Sequence, residues 1–246
     1  MNLRHAGYVL SVLLATSAHA QLIFTDSFDS GPSPLWSNER GAWRVINGEY
    51  LASVPSNSPT TLTLLPFDVG DCRVDVDVLA VRDGGIWIHA DRGAQNAVLL
   101  VTGGRGQQGL ALYWHKVSGG VFSPLLNESG TVFAHGGNYR VTVHVAGSRY
   151  QAFVDGRLAT TLEYNGAPTG MVGLYDFASP DQRFDNFSLR GLCPGDFNAD
   201  GGVDGADVNA FFEAWESGSV LADVNEDGGV DGADVEAFFS AWEGGC

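Results

Sequence analysis

Residues 72–81 read CRVDVDVLAV, with Cys72, Val74, Val76, Val78 and Ala80 at every second position and Arg73, Asp75 and Asp77 between them. Successive side chains of a strand point to opposite faces, so this pattern predicts a strand with one face in a core and the other in water. Alternating runs recur at 86–90, 110–117, 139–145, 150–154 and 170–175. Turn signals separate them: Asp83-Gly84-Gly85, Ser118-Gly119-Gly120, Ala146-Gly147-Ser148 and Asp155-Gly156. No amphipathic helix interrupts the series. Residues 21–190 are therefore expected to be mainly β, a two-sheet sandwich of short antiparallel strands.

The rest of the chain follows another rule. Residues 196–215 read DFNADGGVDGADVNAFFEAW and residues 223–242 read DVNEDGGVDGADVEAFFSAW, with sixteen of twenty positions identical at an offset of 27. Each copy opens on the spacing of a calcium loop. A hard cation takes oxygen ligands at alternate loop positions, with a glycine at the sharp turn. The first copy offers Asp196, Asn198, Asp200, the Gly202 carbonyl, Asp204 and Asp207; the second offers Asp223, Asn225, Asp227, the Gly229 carbonyl, Asp231 and Asp234. Two calcium ions are expected, one per loop. Cys193-Pro194-Gly195 before the first loop disfavours a helix there. After each loop, Val208, Phe211, Phe212 and Trp215, and likewise Val235, Phe238, Phe239 and Trp242, carry helical spacing. Each unit is expected to be a loop and then a helix, the two apolar stripes burying each other.

This tail, residues 193–246, resembles a dockerin, the paired loop-helix module that attaches secreted proteins to cohesin-type receptors. Its bracketing cysteines and Gly-Cys end resemble the GC-type variety. The resemblance implies an EF-hand-like helical fold, two calcium ions and a cohesin-like receptor or cell-surface scaffold as partner. The chain departs from better-known dockerins at loop positions 10 and 11, which carry partner recognition there and are Gly205-Ala206 and Gly232-Ala233 here. Cys193 and Cys246 bracket the module, and a bridge between them would close its ends, worth roughly 4 kcal/mol in the chain-entropy model. Cys72, on the inward side of its strand, is expected to be a buried free thiol.

The formal net charge is −16. Residues 193–246 hold eight Asp, five Glu and neither Lys nor Arg, so the acidity is mostly that of the loops. An acidic surface argues against nucleic-acid partners, since nothing in it neutralises phosphates. Arg4 and His5, the apolar run 8–15 and Ala18-His19-Ala20 spell an export signal over 1–20. That run is too short to span a bilayer and no later segment is apolar enough. The expected location is secreted, extracellular or attached to a cell surface, an oxidising setting in which a disulfide persists.

The sandwich offers two chemistries. Trp87 and His89 alternate on one strand, Tyr113 and His115 on another, and Arg140, Thr142 and His144 on a third. Aromatic planes stack on sugar rings and the polar groups bond hydroxyls, so these residues are candidates for a glycan-binding face. Stretches such as Trp43-Arg44-Val45-Ile46-Asn47-Gly48-Glu49-Tyr50, Phe153-Val154-Asp155-Gly156 and Phe184-Asp185-Asn186-Phe187 resemble the concanavalin-A-like, laminin-G-like jelly roll. That resemblance implies lectins, glycan hydrolases or interaction modules as relatives. It also implies a calcium ion shared by Asp26, Asp29 and Asp185 where the terminal strands meet. Glucanases of that fold carry Glu-x-Asp-x-x-Glu or Glu-x-Asp-x-Glu on one strand; here Arg73 stands at the first Glu and no Glu follows Asp77 in the strand. The Trp43–Tyr50 pattern and Gly84-Gly85-Ile86-Trp87-Ile88-His89 also resemble the 3-keto-disaccharide hydrolases. Three functions therefore stand: a non-catalytic glycan-binding or adhesion module, a carbohydrate-active enzyme, and a structural surface or matrix component. No catalytic residue is assigned.

Overall fold

A computed structural model describes residues 22–56, 58–104, 109–177, 182–198, 202–225 and 229–244. The export-signal expectation over 1–20 lies outside the described residues. Residues 22–191 form two antiparallel sheets, consistent with a jelly-roll sandwich. The larger, eight-stranded sheet runs β12 (Arg157–Glu163), β11 (Arg149–Val154), β10 (Tyr139–Ala146), β5 (Cys72–Leu79), β14 (Arg183–Gly191), β3 (Glu49–Ala52) and β2 (Trp43–Ile46), with β1 (Leu22–Asp26) paired to β14. The six-stranded sheet runs β4 (Thr63–Leu64), β13 (Met171–Asp176), β6 (Asp83–Ala90), β7 (Ala97–Gly103), β8 (Ala111–Ser118) and β9 (Val121–Phe122).

The opening alternation places β5 at the centre of the larger sheet. Cys72, Val74, Val76 and Val78 are buried between the sheets against β6, β7 and β8, which contribute Ile86, Ile88, Val98, Leu100, Leu112 and Trp114. Full burial of each such aliphatic side chain contributes roughly 1.5–3 kcal/mol. The alternation stops one residue short of expectation. Ala80 takes a left-handed backbone at φ 50 beyond the end of β5, and Val81 enters the core in its place. Strand β7 carries no alternation because it is buried on both faces. The buried residues on its second face belong to another apolar cluster, with Trp87, Leu99, Val101, Tyr113 and Tyr175, covering the outer side of the six-stranded sheet.

Two helices follow, α1 (Gly205–Glu216) and α2 (Gly232–Gly244). Their apolar stripes meet: Phe211 and Phe238 are fully buried and stack with ring centroids 4.3 Å apart, planes within 2°. The sequence duplication reappears as reciprocal bonding. Trp215 Nε1 donates to the Asp231 carbonyl at 2.9 Å, and Trp242 Nε1 donates to the Asp204 carbonyl at 3.0 Å. Each helix is thereby fastened to the other unit's loop.

Replacing Phe238 with Ala should cost about 3–5 kcal/mol of tail stability. Replacing the exposed Val121 of the sandwich with Ser should change stability by no more than about 0.5 kcal/mol. Chemical denaturation followed by tryptophan fluorescence reads both.

Candidate functional site

The outer side of the six-stranded sheet is shaped by side chains that the period-two rule sends away from the core. Strands β7, β8 and β13 direct Leu99, Val101, Tyr113, His115 and Tyr175 outward into a cleft of ≈ 310 Å³, with Trp87 of β6 in the apolar cluster behind it. Its rim adds Thr60, Asp83, Phe122 and Phe177, and the last two are 37% and 41% exposed. Trp87 is wholly buried, beneath Phe122 and beside Tyr175, and its Nε1 donates to the Thr61 carbonyl at 3.4 Å. It packs in the layer behind the cleft lining, with no exposed plane. Gly104, at φ +54, lets the chain close over Tyr113: a Cβ there would meet the Tyr113 hydroxyl at 2.2 Å.

His115 has a defined tautomer. Its Nδ1 lies 2.7 Å from the Ser123 carbonyl, which only accepts, so Nδ1 carries the proton and donates. Burial lowers its pKa from the ordinary value. The ring is therefore neutral near pH 7, with Nε2 the acceptor that a hydroxyl would use. Among the described residues lining the cleft, Asp83 is the one carboxylate.

The expected glycan residues do not form one patch. Trp87, Tyr113 and His115 share the cleft side, Trp87 beneath the surface. His89 belongs to neither outer face. It sits at φ 48, where the pairing of β6 with β13 shifts register, and its ring turns to Tyr150 Oη at 2.9 Å and the Gly70 carbonyl at 3.0 Å. The irregularity reverses the side that simple alternation assigns it. Arg140, Thr142 and His144 occupy the outer side of the larger sheet, across the sandwich from the cleft. There Arg140 bonds Asp77 at 3.0 Å, and the His144 ring packs on Phe153 at 5.2 Å. The cleft residues Thr60, Asp83, Phe122, Tyr175 and Phe177 had no sequence signal of a site, because register alone brings them together.

The carboxylates of β5 are engaged in ion pairs. Asp75 accepts from Arg73 Nε at 2.7 Å, from Arg73 Nη2 at 3.0 Å and from Thr142 Oγ1 at 2.6 Å. Burial alone would raise its pKa; the bonds from Arg73 and Thr142 outweigh burial and hold it below the usual carboxylate range. The Asp26 carboxylate is likewise occupied, by the Phe28 and Ser33 amides and Trp36 Nε1. These bonds hold the 26–36 turn together beside the terminal strands.

In the tail, Asp196, Asp207, Asp223 and Asp234 are buried. Asp207 accepts the Asn198 and Asp204 amides at 3.0 and 2.8 Å, and Asp234 accepts the Asn225 and Asp231 amides at 3.1 and 2.8 Å. Asp204 caps α1 in a capping box with Asp207, a second use for loop positions 9 and 12. Asp200 and Asp227 lie outside the described residues, and among the described ones no group of three or more His, Cys, Asp or Glu is gathered for a metal. The donor types, carboxylate and amide oxygens with no cation from the tail itself, fit a hard divalent ion. The second loop also meets the sandwich: Arg149 Nη1 bonds Asp223 at 2.8 Å while its Nε bonds Glu163 at 3.0 Å. Cys193 is buried and disulfide-bonded, Cys72 is buried with a free thiol, and Cys246 lies outside the described residues.

No protein-family model and no curated relative matches the chain. Solved structures do match in fold. A carbohydrate-binding module, CBM66, from Bacillus subtilis is 17% identical with a TM-score of 0.55, over 64% of this chain and 96% of that one. A Bacillus subtilis protein of unknown function with a galectin-like fold is 11% identical with a TM-score of 0.53, over 70% and 96%. A Bacillus licheniformis β-glucanase is 12% identical with a TM-score of 0.50, over 72% and 99%. These likenesses establish the sandwich fold. Among the described residues, no helix is long and apolar enough to cross a membrane.

His144 supplies a pH test of the larger sheet. Burial first, and then the Arg73 charge, push its pKa down to about 4, with Asp75 pulling the other way. The folded pKa lies below the unfolded value of about 6.5, so the unfolded chain takes up the proton first. Stability from keeping the ring neutral is complete above about pH 6.5 and is lost as pH falls towards 4, by roughly 2–3 kcal/mol. His144→Gln should flatten that part of the stability–pH curve, measured by urea denaturation from pH 7 to pH 4.

Proposed function

We propose that the sandwich is a non-catalytic glycan-binding module, exported and held at a surface by a calcium-dependent, dockerin-like tail. The observation that carries the binding half is the cleft itself: aromatic walls, a neutral histidine and a single described carboxylate. Phe122 and Phe177 offer ring surface to sugar C–H faces above the buried Tyr113, while His115, Thr60 and Asp83 bond hydroxyls. Hydrolysis of a glycosidic bond takes two carboxyl groups across the scissile bond, one protonated. The described lining has Asp83 alone, while Asp75 and Asp77 lie on the opposite sheet in ion pairs. Binding is therefore favoured over turnover. The carbohydrate-binding and glycan-cleaving proteins of similar fold support a glycan as the class of ligand.

For the tail, the support is the duplicated loop together with four buried acids in a module with no Lys or Arg. Buried carboxylates cost several kcal/mol each unless compensated. Asp196, Asn198, Asp200, Asp204, Asp207 and the Gly202 carbonyl would hold one calcium ion, and Asp223, Asn225, Asp227, Asp231, Asp234 and the Gly229 carbonyl the other. Bound calcium supplies the counter-charge that lets each loop close. A Cys193–Cys246 bridge would secure the module's ends, and a cohesin-like receptor would be its partner.

Affinity electrophoresis of the full chain against neutral polysaccharides should show retardation by at least one of them. Phe177→Ala and Tyr113→Ala should weaken it about tenfold or more, with no reducing sugar released by any variant. Sugar release that disappears in Asp83→Asn would replace binding by hydrolysis.

Calorimetry should find two calcium ions per chain, reduced to one by Asp196→Ala and to none by the Asp196→Ala, Asp223→Ala double variant. Unchanged stoichiometry would sink the loop assignment.

A further inference from the structure

The outer side of the larger sheet carries a polar groove that the cleft does not use. Strands β10, β5 and β14 line it with Arg140, Thr142, Arg73, Asp75, Ser188 and Arg190 around an opening of ≈ 410 Å³. In register, Arg73 lies directly opposite Arg190 on one side and His144 on the other, and Asp75 lies opposite Ser188 and Thr142.

The charges lining this groove do not balance. Both oxygens of Asp75 are taken, Oδ2 by Arg73 Nε and Oδ1 by Arg73 Nη2 and Thr142 Oγ1. Both oxygens of Asp77 are taken too, by Arg140 Nη1 at 3.0 Å and Asn186 Nδ2 at 2.8 Å. Arg190 has no ion-pair partner among the described residues. The guanidinium groups of Arg73, Arg140 and Arg190 thus line the groove with one carboxylate, the saturated Asp75, while Asp77 and the Asp185 opposite it lie outside the lining. Like charges directly opposite on neighbouring strands destabilise a sheet, and a chain rich in acids has placed two arginines in that relation. A bound oxyanion between them would convert the repulsion into two charge-assisted bonds. The planar guanidinium fork matches a carboxylate or sulfate bidentately, which an ammonium does not. Ser188 stands beside the pair with a hydroxyl to complete the contact. The opening lies in the size range of small-molecule sites.

We propose that this groove is an anion subsite, centred on Arg190 and Arg73, for the carboxylate or sulfate group of an acidic polysaccharide. It rests on the glycan-binding reading only for the class of molecule, since it lies on the other sheet from the aromatic cleft. At physiological ionic strength, screening over about 8 Å leaves the local arginines to dominate over distant acids of the chain.

The test uses the full chain with calcium held constant, in affinity gels of carboxymethyl cellulose against hydroxyethyl cellulose, and of dextran sulfate against dextran. Stronger retention by at least one charged polymer than by its neutral partner is expected, weakening as salt rises from 50 to 300 mM. Arg190→Gln should weaken that retention about tenfold and Arg190→Glu about a hundredfold. Arg190→Lys should keep attraction but lose part of the affinity, while Val121→Ser, at an exposed position outside the groove, should leave it unchanged. Arg190 is at the surface of the sheet, so these variants should retain the wild-type circular dichroism spectrum. Equal retention of charged and neutral polymers, no retention of either charged polymer, or no effect of Arg190→Glu overturns the proposal. Displacement by millimolar inorganic sulfate would overturn it as a polysaccharide site and make it a site for free anions. A neutral polymer retained through Tyr113, with no retention of the charged ones, would leave the cleft standing and this groove without a role.

Discussion

Everything on the two surfaces of the sandwich follows from the packing of its sheets through the valine row of β5. Val74, Val76 and Val78 point inward and are fully buried, so Arg73, Asp75 and Asp77 must point out. The partner sheet obeys the same rule with Ile86, Ile88, Leu100 and Trp114 inward, which sends Trp87, Leu99, Val101 and Tyr113 to its far side. Two packed sheets lie about 10 Å apart. The outward sets therefore end on opposite surfaces and cannot converge on one ligand atom. A glycan face drawn from both sheets is excluded by the same packing that makes the domain stable.

The two surfaces then diverge in chemistry. The six-stranded sheet is apolar on both sides, and the second apolar layer leaves a cleft whose polar groups are few and fixed. The larger sheet is apolar only inward. Its outer side carries ion pairs, Arg73 with Asp75 and Arg140 with Asp77, and along the groove the cations outnumber the acids. Stacking on a sugar ring suits the first surface; pairing with an oxyanion suits the second. Neither surface would serve the other's ligand well, because an aromatic floor offers no counter-charge and an ionic lattice offers no ring plane.

Legibility in the sequence followed the physics of periodicity. Strands with one wet face, β5 and β10 above all, were plain because alternation records a difference between two environments. Strand β7, Ala97–Gly103, left no such record because its two environments are alike. Single-residue irregularities defeated the rule locally: Ala80 at φ 50 ends one alternation early, and His89 at φ 48 turns a predicted surface side chain towards Tyr150. The cleft was half legible. Tyr113 and His115 lie two apart on one strand, but their meeting with Tyr175 and Asp83 depends on the order of β8, β7, β6 and β13, which no local pattern encodes. The helical stripes of the tail, by contrast, were readable twice over, because each copy states the same spacing.

Duplication in the tail also shows how identical segments become different in context. The two loops share most of their residues, and their helices exchange matching Trp-to-carbonyl bonds, so the module taken alone is close to symmetric. The sandwich breaks that symmetry at one point. Arg149, 17% exposed in its side chain, spans Glu163 of β12 and Asp223 of the second loop, whose side chain is 4% exposed. Burial would lower the Arg149 pKa; the bonds to Asp223 and Glu163 raise it instead. A carboxylate has two oxygens, and Arg149 takes one of those on Asp223. The sandwich thus orients the Asp223 carboxylate. Arg149 ties Asp223 to the β11–β12 edge, so two segments alike in sequence differ in the contacts that the sandwich gives them.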